Sequence, residues 1–247
     1  MERLIAVVTG GTKGIGLGIA RALVMRGASV AVTYRGDDGA AHEARRSLEQ
    51  AAPSGRVLVL QGDVGNPAVV WDHYRTVREE LGPVTVLVNN AGIMPRRAFE
   101  EISVEDWDQT IGVNLNSVFY WSSRVVPDMK AARFGRIVNI SSVAARGGGV
   151  VGPHYAASKA GILGFTKYAA REFGPYGITV NAIAPAFIED AGIFVDWTDD
   201  QKATLREKVV VPMLGRVDDV VRAFDYFLDT PFVTGVTLDV NGGAYML

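Results

Sequence analysis

Tyr155 and Lys159, four residues apart in the segment YAASKA, put a phenol and an ammonium on one face of a helix. The segment is rich in helix formers, so the helix itself is expected. An unperturbed tyrosine, with a pKa of about 10, is a poor acid or base at neutral pH. A fixed cation beside it favours the phenolate and brings the group towards useful proton transfer. Upstream, Ser142 ends the apolar run RIVNISS, which reads as a buried strand entering a loop. Its hydroxyl could share a carbonyl oxygen with Tyr155. The same residues would also suit the plain polar face of an amphipathic helix, because a Tyr-x-x-x-Lys spacing recurs by chance. The elements around them decide between the two readings.

Short β-branched runs alternate with helical patterns along the chain. Strands are expected at 4–9, 29–34, 57–62, 84–89, 136–141, 178–184 and 236–240. Most are apolar without alternation, as strands covered on both faces must be. Helices are expected at 15–26, 39–52, 67–81, 104–133, 155–173 and 217–228. This alternation implies an α/β protein with a doubly wound parallel sheet of about seven strands and helices on both faces. No repeat, low-complexity tract or Pro/Gly-rich linker divides it, so one domain over 1–247 is expected. Residues 186–211 carry the weakest pattern, and a loop of that length is usually functional.

Composition narrows the function. Hydrophobic residues make up 48% and charged ones 21%, which suits a substantial core. The net charge of −2, with both signs interspersed, argues against a nucleic-acid partner. The absence of cysteine excludes disulfides, thiolate metal sites and cysteine nucleophiles. Three histidines without a pairing motif give no expected metal site, and His154 reads as pocket wall or surface. The apolar run in residues 1–8 is too short for a signal peptide, and nothing approaches the roughly 18 apolar residues of a membrane span. A soluble cytoplasmic protein without a membrane partner is expected. Trp107, Phe119, Tyr120 and Trp121, on helical patterns, read as packing residues.

The turn after the first strand is TGGTKGIG at 9–16, and its Gly10, Gly14 and Gly16 allow a tight turn and close backbone approach to a pyrophosphate at a helix N-terminus. Gly10, Thr12, Lys13, Gly14, Ile15 and Gly16 are therefore expected dinucleotide contacts. The second strand ends in VTYR, without the carboxylate that would accept from a ribose 2′-hydroxyl. Arg35 and Lys13 could pair with a 2′-phosphate, or stand as solvated surface cations. Asp63, followed by Val64, could hold the adenine edge or cap the helix beginning near Asn66.

The chain resembles the short-chain dehydrogenase/reductase family from Val7 onwards. The matching motifs are TGGTKGIG, Asp63-Val64, NNAG at 89–92, Asn114 in VNLNS, Ser142, Tyr155 with Lys159, NAIAPAFIE and GVTLDVNGGAYM. The likeness is greatest to β-ketoacyl-acyl-carrier-protein reductases and acetoacetyl-CoA reductases. It implies a Rossmann-type fold and a catalytic set of Asn114, Ser142, Tyr155 and Lys159. In that scheme hydride passes from a nicotinamide to a carbonyl carbon, Tyr155 donates the proton and Ser142 polarises the carbonyl. Lys159 holds the nicotinamide ribose and lowers the Tyr155 pKa, while Asn114 helps hold a proton-relaying water. Asn90, Ala91 and Gly92 leave room beside the cofactor, and Pro185 and Ile188 carry over to its nicotinamide end. NADPH is the expected cofactor, with NAD as the alternative.

The chain also departs from the family. Ala186 stands where glycine usually follows Pro185, and Ile188-Glu189-Asp190 replaces a threonine offered to the carboxamide. The resemblance implies a 3-oxoacyl thioester as substrate, a substrate lid at 186–211 and a homotetramer. In the last, helices 104–133 and 155–173 pair through residues such as Val118, Phe119, Trp121, Phe165 and Tyr168, and the apolar terminus 244–247 joins a second interface. A dehydrogenase of a sugar, polyol or cyclic alcohol is the alternative. A non-catalytic nucleotide sensor is disfavoured by the intact catalytic residues. An acyl-carrier protein stays open as a partner: Arg133 matches one of two arginines that steer it, and Tyr176 replaces the other.

Overall fold

The β-branched runs become strands that all find parallel neighbours. The computed structural model describes residues 4–52 and 54–246; Met1–Arg3, Pro53 and Leu247 lie outside them, and with them the start of the N-terminal run and the last residue of the apolar terminus. The strands are β1 (Ile5–Val8), β2 (Ser29–Tyr34), β3 (Val57–Gln61), β4 (Val86–Asn89), β5 (Gly135–Ile140), β6 (Ile178–Pro185) and β7 (Thr237–Val240). They form one seven-stranded parallel sheet in the order β3-β2-β1-β4-β5-β6-β7.

Successive side chains on a strand point to opposite faces, and the sheet uses both. Ala6 and Val8 of β1 pack with Ile19, Leu23, Phe224 and Phe227, on α1 (Gly14–Met25) and, further along the chain, Val217–Asp229. Leu48 of α2 (Asp38–Ala51) joins that face. Ile5 and Val7 face the other way, onto Val70 and Val77 of α3 (Pro67–Glu80) and onto Trp121, Val125 and Met129. Each such fully buried large side chain contributes about 1.5–3 kcal/mol. Because the chain winds outward from β1 and then returns to place β4 on its other side, a crevice opens between the C-terminal ends of β1 and β4.

Two expectations need correction. The helix expected over 104–133 is broken into α4 (Val104–Ile111), a wide π-type turn at Gly112–Asn116, and α5 (Ser117–Ala132). The break sits at Asn114, whose side chain is bound to the loop after β4. The patternless stretch 186–211 contains a helix of its own. After α6 (Ala144–Gly147) and α7 (Pro153–Phe173), it forms a short turn at Gly192–Phe194 and then α8 (Asp199–Arg206), before α9 (Val217–Asp229). Its base is clasped where Glu189 donates to the Gly215 carbonyl at 2.9 Å and Gly215 to that of Phe187 at 3.0 Å. Its far end is tied to the C-terminal segment, the Val210 amide donating to the Gly242 carbonyl at 2.8 Å.

Side chains expected to pack, or to meet a partner, divide differently. Trp121 and Val118 are buried in this chain's own core and Phe165 packs against it, whereas Phe119 and Tyr168 are 57% and 70% exposed. Trp107 is exposed as well. No helix among the described residues is long and apolar enough to cross a membrane.

Candidate active site

The crevice between β1 and β4 is held open by small residues and cross-linked by Thr9. Its hydroxyl accepts from the amides of Asn90 and Ala91, each at 2.9 Å. The Asn90 side chain in turn donates to the carbonyls of Thr9 at 2.9 Å and Gly10 at 3.0 Å. Asn90 thus staples β4 to the glycine turn and does not face the cavity. Gly10 adopts φ +62°, and a Cβ there would lie 3.0 Å from the Ala91 backbone. At Gly16 a Cβ would stand 2.4 Å from the Gly10 carbonyl, so only glycine lets α1 press so closely on the turn.

A cavity of about 720 Å³ lies over this turn. Of the expected cofactor residues, Gly10, Thr12, Lys13, Arg35, Asp63, Val64, Ala91 and Gly92 line it. Thr33, Tyr34, Asp37 and Asp38 line it too, and sequence reasoning missed them; Asp37 carried a signal as a helix-capping residue just past the second strand. No side chain caps the N-terminus of α1, so its amides and positive dipole end are open to an anion. Among the remaining expected contacts, Gly14 adopts φ +53° and faces Ala191, and Ile15 packs against the core. Pro185 uses its carbonyl to accept from Val143 at 3.0 Å, tying down the loop that carries Ser142. Ile188 bridges to Gly215 and turns its side chain into the core, so only its backbone is left to face a cofactor. Asp63 is not the cap of α3, which is Asn66; it accepts from the Gly65 amide at 2.8 Å and faces Arg35 at 4.0 Å.

The cavity meets the second group of side chains at Gly92. A Cβ on Gly92 would stand 3.3 Å from Asn114 Oδ1 and 3.5 Å from Lys159 Nζ. Asn114 is fully buried; it accepts from the Ile93 amide at 2.8 Å and donates to the Ile93 carbonyl at 3.0 Å and to Ser158 Oγ at 3.1 Å. Lys159 Nζ donates to the Ile140 carbonyl at 2.9 Å and lies 5.8 Å from the Tyr155 ring centre. Ser142, whose hydroxyl accepts from the Ala144 amide at 3.1 Å, lies close enough to Tyr155 to favour the charged form of its phenol. Strand β5 and helix α7 therefore bring Ser142, Tyr155 and Lys159 together, with Asn114 behind them.

The electrostatics differ from the expectation of a phenol acidified by its lysine. Burial pushes the Tyr155 pKa up, and Ser142 is the group that pulls it down. Burial likewise lowers Lys159 to about 8, so the ammonium is itself costly here. The spacing was right, but it cannot register desolvation.

A family model described as short chain dehydrogenase matches residues 4–202. The chain is a short-chain dehydrogenase. It is 38% identical over 248 residues to the 3-oxoacyl-(acyl-carrier-protein) reductase FabG of Salmonella typhimurium, covering 100% of this chain and 99% of that one. It is equally 38% identical to an acetoacetyl-CoA reductase of Rhizobium meliloti, covering 98% of each. A solved 3-oxoacyl-(acyl-carrier protein) reductase from Brucella melitensis superposes with a TM-score of 0.90 at 33% identity, covering 100% of this chain and 92% of that one. The short-chain dehydrogenase fold and an NAD(P)-dependent oxidoreductase activity are thereby established for this protein.

The departures are absorbed into structure. Ala186 donates to the Val240 carbonyl at 3.1 Å without a left-handed φ, so its methyl is accommodated. Asp190 accepts from the Val217 amide at 2.8 Å and caps α9, turning away from the cavity. Arg133 stands before the N-terminal end of β5, whereas Ser142 follows its C-terminal end, roughly 20 Å away at strand rise. Its guanidinium donates to the Pro175 carbonyl at 3.0 Å. Within one chain Arg133 and Tyr176 thus lie toward the opposite end of the sheet from Ser142.

Proposed function

We propose that this enzyme reduces a ketone, a 3-oxoacyl thioester, to the corresponding hydroxy compound using NADPH. The observation that carries the reading is the convergence of Ser142, Tyr155 and Lys159 at the C-terminal end of the sheet, in contact through Gly92 with a cavity suited to a dinucleotide. The names of the relatives, reductases of acyl-carrier and CoA thioesters, support the substrate class. When bound, the nicotinamide supplies the hydride. Ser142 donates to the substrate carbonyl and holds it beside Tyr155, whose phenolic hydrogen passes to the same oxygen. Lys159 keeps a positive charge behind the phenol, and Asn114 fixes the Ile93 loop around it. Arg35 and Lys13 meet the 2′-phosphate.

In the same reading residues 1–247 form one domain with a lid at 186–211, supported by the approach of Ala191 to Gly14 and of Gly192 to Met94. The protein works in the cytoplasm as a homotetramer, supported by exposed Phe119 and Tyr168. The test is cofactor oxidation with acetoacetyl-CoA beside a panel of sugars, polyols and cyclic ketones. Turnover confined to the thioester is the expected result, and preferential turnover of sugars or cyclic ketones would replace the reading. Because Tyr176 stands where one of the two carrier-steering arginines would be, CoA thioesters should be reduced at least as well as carrier-bound ones. A large, salt-sensitive advantage in kcat/KM for the carrier-bound acyl group would contradict that.

A further inference from the structure

At the end of the cavity beside β2 and β3, two cations face three carboxylates: Lys13 and Arg35 against Asp37, Asp38 and Asp63. Two of the acids are built alike. Asp37 accepts from the Ala40 amide at 3.0 Å through Oδ1 and turns Oδ2 to Lys13 Nζ at 3.6 Å. Asp63 accepts from the Gly65 amide at 2.8 Å through Oδ1 and turns Oδ2 to Arg35 at 4.0 Å. Each carboxylate is pinned by backbone on one oxygen, while the other oxygen faces a long, exposed cation. The Ala40 amide, then Lys13, hold the Asp37 carboxyl below the usual carboxylate range, so it is charged at neutral pH. A 2′-phosphate, carrying nearly two negative charges, must take these cations from partners already fixed in place.

We infer that Asp37 is a specificity-determining residue: it limits the preference for a 2′-phosphorylated cofactor by holding Lys13 in a competing ion pair at the N-terminus of α2. The inference rests on the reading of Arg35 and Lys13 as the 2′-phosphate site. An NAD cofactor, with a neutral 2′-hydroxyl there, does not need Lys13 released and gains an acceptor from the carboxylate. Asp37 therefore favours NAD and disfavours NADP, against the action of Arg35.

Asp37→Asn removes the charge and keeps a good helix cap, and Asp37→Ser does the same with a different side chain. Dissociation constants for NADP and NAD are measured by calorimetry for the wild type, both Asp37 variants and Arg35→Ala, at low and high salt. Both Asp37 variants should raise the preference for NADP about threefold at low salt, a size suited to one exposed ion pair. The gain should shrink at high salt, as screening of exposed charges requires. An unchanged or lowered preference in both variants, or a gain indifferent to salt, overturns the inference. Arg35→Ala reports separately on the phosphate site. If it lowers NADP affinity while the Asp37 variants change nothing, only the inference fails. If it leaves the preference untouched, the phosphate reading falls and takes the inference with it.

Discussion

Lys159 shows how far the chemistry of single residues depends on burial. It is buried with one carbonyl partner, and its pKa falls to about 8 against an ordinary value of about 10.4. Between those values the unfolded chain holds a proton that the folded chain has lost, so stability contributed at this position rises with pH through that window. Below about pH 8 the cost of the buried charge is fully present. Lys159→Met should therefore be more stable than the wild type at pH 7, by about 1–3 kcal/mol, while losing turnover. Urea unfolding at pH 7 and near pH 10 checks this: the gain should fade at the higher pH, and a loss of stability at pH 7 would refute it. Ser142→Ala should lower kcat by about 10²-fold through loss of a donor to the carbonyl oxygen, as measured in steady-state turnover. The Tyr-x-x-x-Lys and serine spacing was legible in the sequence because side-chain direction follows helix and strand geometry. The pKa directions were not, because nothing local records how deeply α7 lies against β5.

At the scale of elements, Asn114 joins two segments that are far apart in sequence. It binds both backbone groups of Ile93 and interrupts the helix between Ile111 and Ser117 with a π-type turn, a feature frequent at functional sites. Asn114→Ala should leave those two groups unpaired and cost about 1–3 kcal/mol in chemical denaturation. An unchanged unfolding midpoint would show that the turn persists without it. The apolar strands were legible to within about two residues, since covered parallel strands carry an unbroken apolar signature. Helix α8 was missed although Thr198 and Gln201 form a capping box there, a signal visible in the sequence as Thr-x-x-Gln. The break at Asn114 left a local trace in Gly112-Val113-Asn114-Leu115-Asn116, a run poor in helix formers, but its bond to the loop after β4 could not be read there.

At the scale of the whole molecule, strand order could not be read from the pattern of strands and helices alone. Alternation says that the sheet is parallel, but only the return of the chain to β4 creates the crevice where the glycine turn, Gly92 and Lys159 meet. The likeness to known reductases supplied the catalytic set, and the fold adds what surrounds it: Asp37, Asp38 and Thr33 beside the cavity, and Asp190 capping α9. Assembly belongs to this scale as well. Light scattering at micromolar concentration should give a tetramer mass, and a monomer would contradict the association of Phe119- and Tyr168-bearing helices. The central claim is that Tyr155 is the proton donor of an NADPH-dependent carbonyl reduction, and one paired measurement tests it most directly. Turnover of acetoacetyl-CoA with NADPH is compared in wild type and Tyr155→Phe, together with the dissociation constant for NADPH. The account predicts that the variant loses kcat by several orders of magnitude while binding NADPH within about twofold of the wild type. Wild-type kcat in Tyr155→Phe would contradict it.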